Sequence, residues 1–192
     1  MSVILYNFGW MLYNIFLALV AVGFGFVSLR ISGRYLKFLF GLLWLLFLPN
    51  TIYIFTDVIH LIHQWHQGSL SFNLLLFLQY SIYDAAGLVT FMVGFLPFEK
   101  LLQWVTILKK RPTISIIILN FYIAFCLVMG RVERINSWDV FTRPIKTIEA
   151  TIHVFITFDL FGLIILFWLF CTFVYLLLRD PFLNATKRFL HI

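Results

Sequence analysis

The stretch FLPNTIYIFTDVIHL, residues 47–61, ends a segment apolar enough to cross a membrane, yet it carries four strongly polar side chains. Asn50, Tyr53, Asp57 and His60 follow one another at spacings of 3, 4 and 3 residues. On a helix, this spacing places the four side chains on one face. Because polar groups inside a span nearly always face the bundle interior or a wet cavity, the stretch predicts a helix that lines a cavity.

The composition of the whole chain favours a membrane protein. Hydrophobic residues make up 62% of the 192 residues and charged residues 11%, whereas soluble domains carry about 25% charged residues. The net charge of +6 arises from basic residues at the ends of apolar runs, where they set orientation and meet lipid headgroups. The charge therefore indicates membrane lipids as partners, with another membrane protein as a second candidate, and does not indicate nucleic acid.

The apolar runs predict the fold class. A helix needs about 20 mostly apolar residues to cross the hydrocarbon core. By this criterion the chain is an all-α integral membrane protein, a single polytopic domain over residues 1–192 with a bundle of five transmembrane helices. The predicted spans are approximately 5–29, 38–56, 70–98, 112–130 and 151–178. Short amphipathic helices are predicted after the second span and near 99–110.

The connections between these spans assign an orientation. Lys and Arg are concentrated in segments 30–37, 100–111 and 179–188, whereas the connection from Asp57 to Gly68 contains neither. By the positive-inside rule, the N-terminus lies outside the cell and the C-terminus inside. The connection 131–149 is an exception, because it carries four basic residues on the predicted outer side. Orientation alone does not explain those charges.

Two other spans bring polar groups towards the same predicted side. In the third span, Asn73, Tyr80 and Asp84 share one helical face. The fifth span is predicted to begin with His153, and Asp159 follows about a turn and a half deeper. Ionisable groups within spans are costly to insert, so we expect these side chains to have a functional or structural partner.

The connection after the fourth span contains the motif GRVERINSWD, residues 130–139. Arg131 and Arg134 lie one turn apart, and a guanidinium group can bind a phosphate or carboxylate through two hydrogen bonds. Asn136 is typical of a turn or helix cap. The alternative partners of the two arginines are acidic side chains of the chain itself, namely Glu133, Asp139 and Asp57.

These groups predict one outward-facing pocket with two kinds of residue. The predicted catalytic residues are Asp57, His60 and Asp84. The predicted ligand-binding residues are Asn50, Tyr53, Arg131, Arg134, Asn136, Asp139 and His153. Two alternatives to acid–base chemistry remain open at Asp57 and His60. Their spacing also suits a divalent metal, and an amphipathic helix with water-facing histidines, continued by His63 and His66, explains the same pattern.

Three motifs resemble a family of uncharacterised multi-pass bacterial membrane proteins, known as a domain of unknown function. They are LPNTIYIFTDVIHL (48–61), the pair Tyr83-Asp84 and GRVERINSWD (130–139), and they extend over roughly residues 40–145. The resemblance implies a multi-pass protein of the bacterial cytoplasmic membrane. It supplies no reaction and no cofactor.

Two classes of function remain open on the sequence. The leading hypothesis is a site for an anionic ligand such as a lipid headgroup, with hydrolysis or group transfer on a lipid-linked substrate as the reaction class. The alternative is a non-catalytic assembly partner or a proton-coupled transporter component, in which Asp84 and Asp159 matter most.

Overall fold

The computed structural model of the chain describes residues 2–65 and 69–190, with the backbone alone for residue 2 and for 187–190. His66 and the side chains of Lys187 and Arg188 lie outside this description. All regular elements of the described residues are helical. In chain order they are α1 (Ser2–Arg30), α2 (Arg34–Phe47), α3 (Pro49–Tyr53), a 3₁₀ turn (Ile54–Asp57), α4 (Val58–Gln64), α5 (Leu70–Trp104), α6 (Thr106–Lys110), α7 (Pro112–Arg131), α8 (Asp139–Thr142), α9 (Pro144–Ile156) and α10 (Phe158–Leu190).

Five helical segments of the described chain are long and apolar enough to cross a membrane. They are Val3–Arg30, Arg34–Gln64, Leu70–Trp104, Pro112–Arg131 and Phe158–Thr186. These segments confirm the prediction of an all-helical protein with five helices suited to a membrane. The orientation of the termini stays a prediction.

The second membrane segment continues through Pro49 instead of ending near it. Pro49 is the first residue of α3, a position at which the missing backbone N–H removes no helical hydrogen bond. Around it, the Asn50 Nδ2 donates to the Phe47 carbonyl at 2.9 Å, and the Thr51 hydroxyl donates to the Leu48 carbonyl at 2.7 Å. The run therefore carries on through the 3₁₀ turn into α4, the short helix predicted after the second span.

The predicted fifth span, 151–178, covers parts of two helices. Thr157 has an extended backbone (φ −90°, ψ 112°) and separates α9 from α10. His153 consequently lies near the end of α9, whereas Asp159 lies in the first turn of α10. No proline or glycine marks this break, and Thr157 followed by the acidic Asp159, a pattern typical of a helix start, was its local sign in the sequence.

Residues Met1–Pro97 form the first of two compact units, here called unit 1. Two glycines of α5 allow close packing of the second membrane segment. A Cβ atom at Gly87 would lie 2.7 Å from Ile54 Cγ2, and the Gly94 carbonyl accepts a hydrogen bond from Trp44 Nε1 at 3.0 Å. Small residues of this kind let helices approach closely in membranes. The resulting buried core of unit 1 includes Met11, Ala18, Ile54, Leu76, Tyr80 and Tyr83.

Residues Phe98–Ile192 form unit 2, in which α7 packs against α10. Trp168 Nε1 donates to the Ile117 carbonyl at 3.0 Å across this interface. Glu99 of α5 is buried and forms two hydrogen bonds with Arg179 of α10, with Nε–Oε1 at 2.5 Å and Nη2–Oε2 at 2.8 Å. The Tyr175 hydroxyl also donates to Glu99. A fully hydrogen-bonded ion pair therefore ties the last turns of α5 to α10.

Candidate functional site

The centre of the candidate site in unit 1 is the carboxyl group of Asp57. Asp57 ends the 3₁₀ turn and is only 2% exposed. Its Oδ2 atom accepts hydrogen bonds from the Tyr83 hydroxyl at 2.7 Å and from Asn14 Nδ2 at 3.0 Å. Asn14 Nδ2 also lies 3.0 Å from the Tyr83 hydroxyl oxygen. Neutral donors from α1 and α5 therefore hold one oxygen of a buried carboxyl group in a fixed position.

The imidazole of His60 lies between this carboxyl group and the surface. Its Nε2 is 4.0 Å from Asp57 Oδ1, and its side chain is 48% exposed. The Trp10 ring lies against it, with ring centroids 5.6 Å apart, and the same indole meets the Tyr83 ring edge-on at 5.6 Å. The geometry is thus a buried carboxyl group behind a half-exposed histidine whose ring is packed on one side.

A layer of side-chain amides lies beside this pair. Asn7 is fully buried and exchanges two hydrogen bonds with Gln64, at 2.8 and 3.2 Å. Trp10 Nε1 donates to Asn7 Oδ1 at 3.3 Å, and Gln79 Nε2 donates to the Ile4 carbonyl at 2.9 Å. These bonds join α1, α4 and α5, so they position the helices that carry Asp57 and His60.

Asp84, the third predicted catalytic residue, lies on the same unit. It is half-buried, and its carboxyl group interacts electrostatically with that of Asp57. Its Oδ1 atom is buried and has no hydrogen-bond partner among the described residues. Asp57 and Asp84 therefore differ in environment, because donors satisfy Asp57 Oδ2 and none satisfies Asp84 Oδ1.

Asn50 lies about two turns, and Tyr53 about one turn, before this centre on the second membrane segment. Both are half-buried. The side-chain Nδ2 of Asn50 donates to the backbone carbonyl of Phe47 beside Pro49, so this polar group bonds within its own helical segment. The structure brings Asp57 and His60 together and gives Asn50 a part in continuing the helix past the proline.

Several residues of this site were not predicted from the sequence. They are Asn7, Trp10, Asn14, Gln64 and Gln79. Asn7, Trp10 and Asn14 recur at intervals of 3 and 4 residues inside the first apolar run, which is the same one-face spacing that drew attention to residues 50–60. This spacing is the sequence signal that could have predicted that α1 contributes polar side chains to the site.

Unit 2 contains a separate polar cluster in the motif 130–139, centred on Asp139. The Asp139 side chain is fully buried. Its Oδ2 accepts from the Asn136 backbone N–H at 2.8 Å, and its Oδ1 contacts Arg143 Nη2 at 2.7 Å and Nε at 2.9 Å. The Asn136 N–H, followed by Arg143, holds the pKa of this carboxyl group below its usual range. Asp139 thus fixes the turn that leads into α8.

The lowered pKa of Asp139 predicts a dependence of stability on pH. A carboxyl group whose pKa is lower in the folded state stabilises the protein above the unfolded value, about 3.9. That stabilisation is lost as the pH falls through the folded pKa. We therefore expect Asp139→Asn to lower the melting temperature at neutral pH, with the difference from wild type shrinking below about pH 4.

Thermal unfolding over a pH series measures this effect. Glu149→Gln, which removes an exposed carboxyl group of α9, is the matched control. A difference between Asp139→Asn and wild type that stays constant down to the most acidic condition would contradict the assignment of the effect to the ionised carboxylate.

Two of the acidic residues that the sequence offered as partners of the arginines, Glu133 and Asp139, contact other basic side chains. Glu133 Oε1 lies 2.7 Å from His153 Nδ1, and Asp139 is paired with Arg143. Arg134 is exposed, has no ion pair within the described residues, and has a left-handed backbone (φ 53°). That conformation costs a non-glycine residue roughly 1–2 kcal/mol, so it is an unusual place for an arginine.

The metal alternative finds limited support in the geometry. Within residues 2–65 and 69–190, no group of three or more His, Cys, Asp or Glu side chains is placed to hold a metal ion. A divalent metal at Asp57 and His60 would therefore need ligands of another kind.

The predicted site residues divide between the two units. Asn50, Tyr53, Asp57, His60 and Asp84 belong to unit 1, whereas Arg131, Arg134, Asn136, Asp139 and His153 belong to unit 2. Their convergence on a single pocket stays a prediction.

Comparison with known proteins identifies the family. A family model described as a protein of unknown function (DUF1361) matches residues 13–175. No curated protein and no solved structure matches the chain. The family match covers more than half of the chain and confirms the resemblance to a domain of unknown function. The chain therefore belongs to the DUF1361 family of proteins of unknown function.

Proposed function

We propose that this chain is an acid–base enzyme of the bacterial cytoplasmic membrane, acting on a lipid-linked substrate at the outer surface. The observation that carries the proposal is the pair formed by buried Asp57 and half-exposed His60, 4.0 Å apart. A buried carboxylate behind an accessible imidazole is the arrangement by which proteins orient a histidine and stabilise its protonated form.

In this proposal His60 is the general base. Its imidazole takes the proton from an attacking water or hydroxyl group as the new bond forms, and returns that proton to the leaving group as the old bond breaks. Asp57 stabilises the imidazolium formed between these steps. The 4.0 Å separation exceeds a hydrogen bond, and such contacts commonly shorten when substrate binds.

An apolar groove next to the amide layer supports a lipid-linked substrate. The groove is lined by Ile4, Leu5, Phe72 and Leu75 and has a volume of about 410 Å³, which is within the 300–1,000 Å³ typical of ligand sites. The Ile4 carbonyl joins it to Gln79 of the amide layer, and Phe72 packs against the core that contains Tyr83. We assign the groove to the hydrocarbon chain of the substrate.

For unit 2 we propose that Arg131 and Arg134 bind an anionic group, such as a phosphate of a lipid headgroup. The exposed Arg134 supports this, because Glu133 and Asp139, the acidic residues closest to it in the sequence, are paired with His153 and Arg143. Asn136 and Asp139 would hold the turn that presents the arginine. In this proposal, the strained left-handed backbone at Arg134 is retained because it places the arginine side chain for binding.

The proposal includes an orientation with the N-terminus outside and the C-terminus inside. With Cys126 and Cys171 replaced by alanine, a membrane-impermeant thiol reagent added to intact cells is expected to label Ser69→Cys and to leave Lys110→Cys unlabelled. Both positions are exposed. The reverse labelling pattern would place His60 on the cytoplasmic side and contradict an outer-surface enzyme.

Substitution of His60 is the most direct test of the proposed activity. In a host lacking the gene, lipid-linked species should accumulate, and mass spectrometry of lipid extracts should show their removal when wild-type protein is restored. His60→Ala is expected to fail, whereas His63→Ala, the matched control on the exposed side of the same helix, should succeed.

Immunoblots of membrane fractions establish that both variants are present. If His60→Ala restores the lipid profile as well as His63→Ala does, the acid–base proposal is wrong. A non-catalytic role in assembly or proton-coupled transport then becomes the better account of the polar site.

A further inference from the structure

Three buried oxygen atoms of α5 lack a hydrogen-bond partner among the described residues. They belong to the side chains of Asn73 (Oδ1), Tyr80 (the hydroxyl) and Asp84 (Oδ1). The residues are 7 and 4 positions apart, so they share one face of the helix. Tyr80 is 1% exposed, so its hydroxyl is directed into the protein and away from lipid or bulk water.

Such atoms are costly in a helix that crosses a membrane. A buried polar group without a hydrogen bond costs about 1–3 kcal/mol, and hydrocarbon offers no replacement partner. Further along α5, the Thr90 hydroxyl is satisfied by the carbonyls of Ala86 and Gly87, at 2.9 and 3.0 Å. The unsatisfied oxygens are therefore confined to the part of α5 between Asn73 and Asp84.

This row runs from the end of α5 towards the middle of the membrane. Asn73 is three residues after Leu70, where α5 begins, and Asp84 is fourteen residues after it, about 21 Å along the helix at 1.5 Å per residue. Beyond Asp84 the buried side chains of the helix include Phe91 and Phe95. The row of unsatisfied oxygens thus runs from the start of α5 to Asp84, and apolar side chains fill the buried face of the helix beyond it.

We propose that water molecules enter along this row and form a half-channel, defined by Asn73, Tyr80 and Asp84, through which protons reach and leave the Asp84 carboxyl group. Ordered water is the usual partner of buried polar atoms that the protein leaves unsatisfied. A hydronium ion arriving along the row transfers its proton to the Asp84 carboxylate, which leaves a carboxylic acid and a water molecule.

The groups around Asp84 suit a site that binds and releases a proton. Asp84 is half-buried, its Oδ1 has no hydrogen-bond partner among the described residues, and its carboxyl group interacts electrostatically with that of Asp57 in the 3₁₀ turn. The titratable groups facing this region are Asp57, His60, Tyr80 and Tyr83, and Asn14 of α1 is neutral. The half-channel requires neither a catalytic His60 nor a lipid substrate, so it stands independently of the proposed enzyme activity.

Cysteine accessibility tests for the water. In the background with Cys126 and Cys171 replaced by alanine, single cysteines are placed at positions 73, 80 and 84. Leu78→Cys and Ile82→Cys are the controls, since both side chains lie on the opposite, outward face of α5, at 55% and 64% exposure. The cysteine thiolate attacks the sulfur of a water-soluble methanethiosulfonate reagent and releases methanesulfinate, and the thiolate forms only in contact with water.

The expected result is reaction at positions 73, 80 and 84 at least about tenfold faster than at 78 and 82, because thiolates form only where water reaches. The rates should fall from 73 to 84. Reaction at 80 and 84 as slow as at the two control positions would overturn the half-channel.

Infrared spectroscopy tests the proton with wild-type Asp84 in place. A protonated-carboxyl band that grows as the pH is lowered, shifts within minutes of exchange into D₂O and is absent from Asp84→Asn is expected. If wild type and Asp84→Asn share the same carboxyl bands, or if the band resists exchange, the proposal fails. Failure of the lipid assay with success here would remove the proposed enzyme and leave the half-channel.

Discussion

The Asp57→Asn variant is expected to reach the membrane in wild-type amount and to lose the proposed turnover by about 10²- to 10⁴-fold, the usual contribution of acid–base catalysis. Asparagine has the shape of aspartate, and its Oδ1 can accept the same hydrogen bonds from Tyr83 and Asn14. What disappears is the negative charge facing His60. The readout is the initial rate at which accumulated lipid-linked species disappear after expression is induced.

Two further variants show whether the charge is the cause. Tyr83→Phe removes the 2.7 Å hydrogen bond to Asp57 but leaves the carboxylate, so we expect a smaller loss than in Asp57→Asn. Asp159→Asn removes an exposed carboxyl group in the first turn of α10 and should change neither the amount of protein nor the turnover rate.

The opposite pattern would be equally informative. Loss of function in Asp159→Asn with retention in Asp57→Asn contradicts the enzyme proposal and favours the proton-coupled alternative. Loss of protein from the membrane in Asp57→Asn would show that the carboxylate is needed for folding, since the neutral asparagine preserves the hydrogen-bonded shape.

The helical class and the five membrane segments were predictable because only long apolar helices or closed barrels can cross the hydrocarbon core of a membrane. The chain contains apolar runs of the length that such helices need. The break at Thr157 was not predicted, because it lies inside a long, mostly apolar run and no proline or glycine lies beside it. His153 and Asp159 were therefore assigned to one helix although they lie on two. Thr157 followed by the acidic Asp159, a pattern typical of a helix start, was the local signal that could have shown the break.

The candidate site was predictable only in part, for a related reason. Asp57 and His60 stood out because ionisable groups are rare inside apolar runs. Asn7 and Asn14 are uncharged and isolated in a long apolar run. Their position on one helical face was therefore not enough to predict a role without knowing which residues they contact. The contact between Asn14 and Asp57 joins residues 43 positions apart, and no local pattern specifies such a pairing.

The Glu99–Arg179 ion pair is the clearest case of information that lies only in the tertiary structure. From the sequence, Arg179 was one of several basic residues that set orientation at the end of the last span. In the structure it reaches 80 positions back to a buried carboxylate that also accepts a hydrogen bond from Tyr175. Its contribution to stability follows from that burial.

Arg179→Met is expected to lower the free energy of unfolding by about 3 kcal/mol, the lower end of the range for breaking a buried ion pair, because the Arg179 side chain is itself 31% exposed. Methionine keeps the apolar stem and leaves Glu99 as an unpaired buried charge. At about 2–4 °C per kcal/mol for a chain of this size, the melting temperature in detergent should fall by roughly 6–12 °C.

The double variant Glu99→Gln with Arg179→Met distinguishes an unpaired charge from lost packing. The glutamine side chain is neutral and can still accept the Tyr175 hydroxyl, so at least half of the lost stability should return. Arg111→Met, which removes an exposed arginine of the same unit, should change the free energy of unfolding by no more than about 0.5 kcal/mol. If the double variant melts as low as Arg179→Met, the destabilisation does not come from an unpaired charge on Glu99. The arginine would then stabilise unit 2 through its packing against α5.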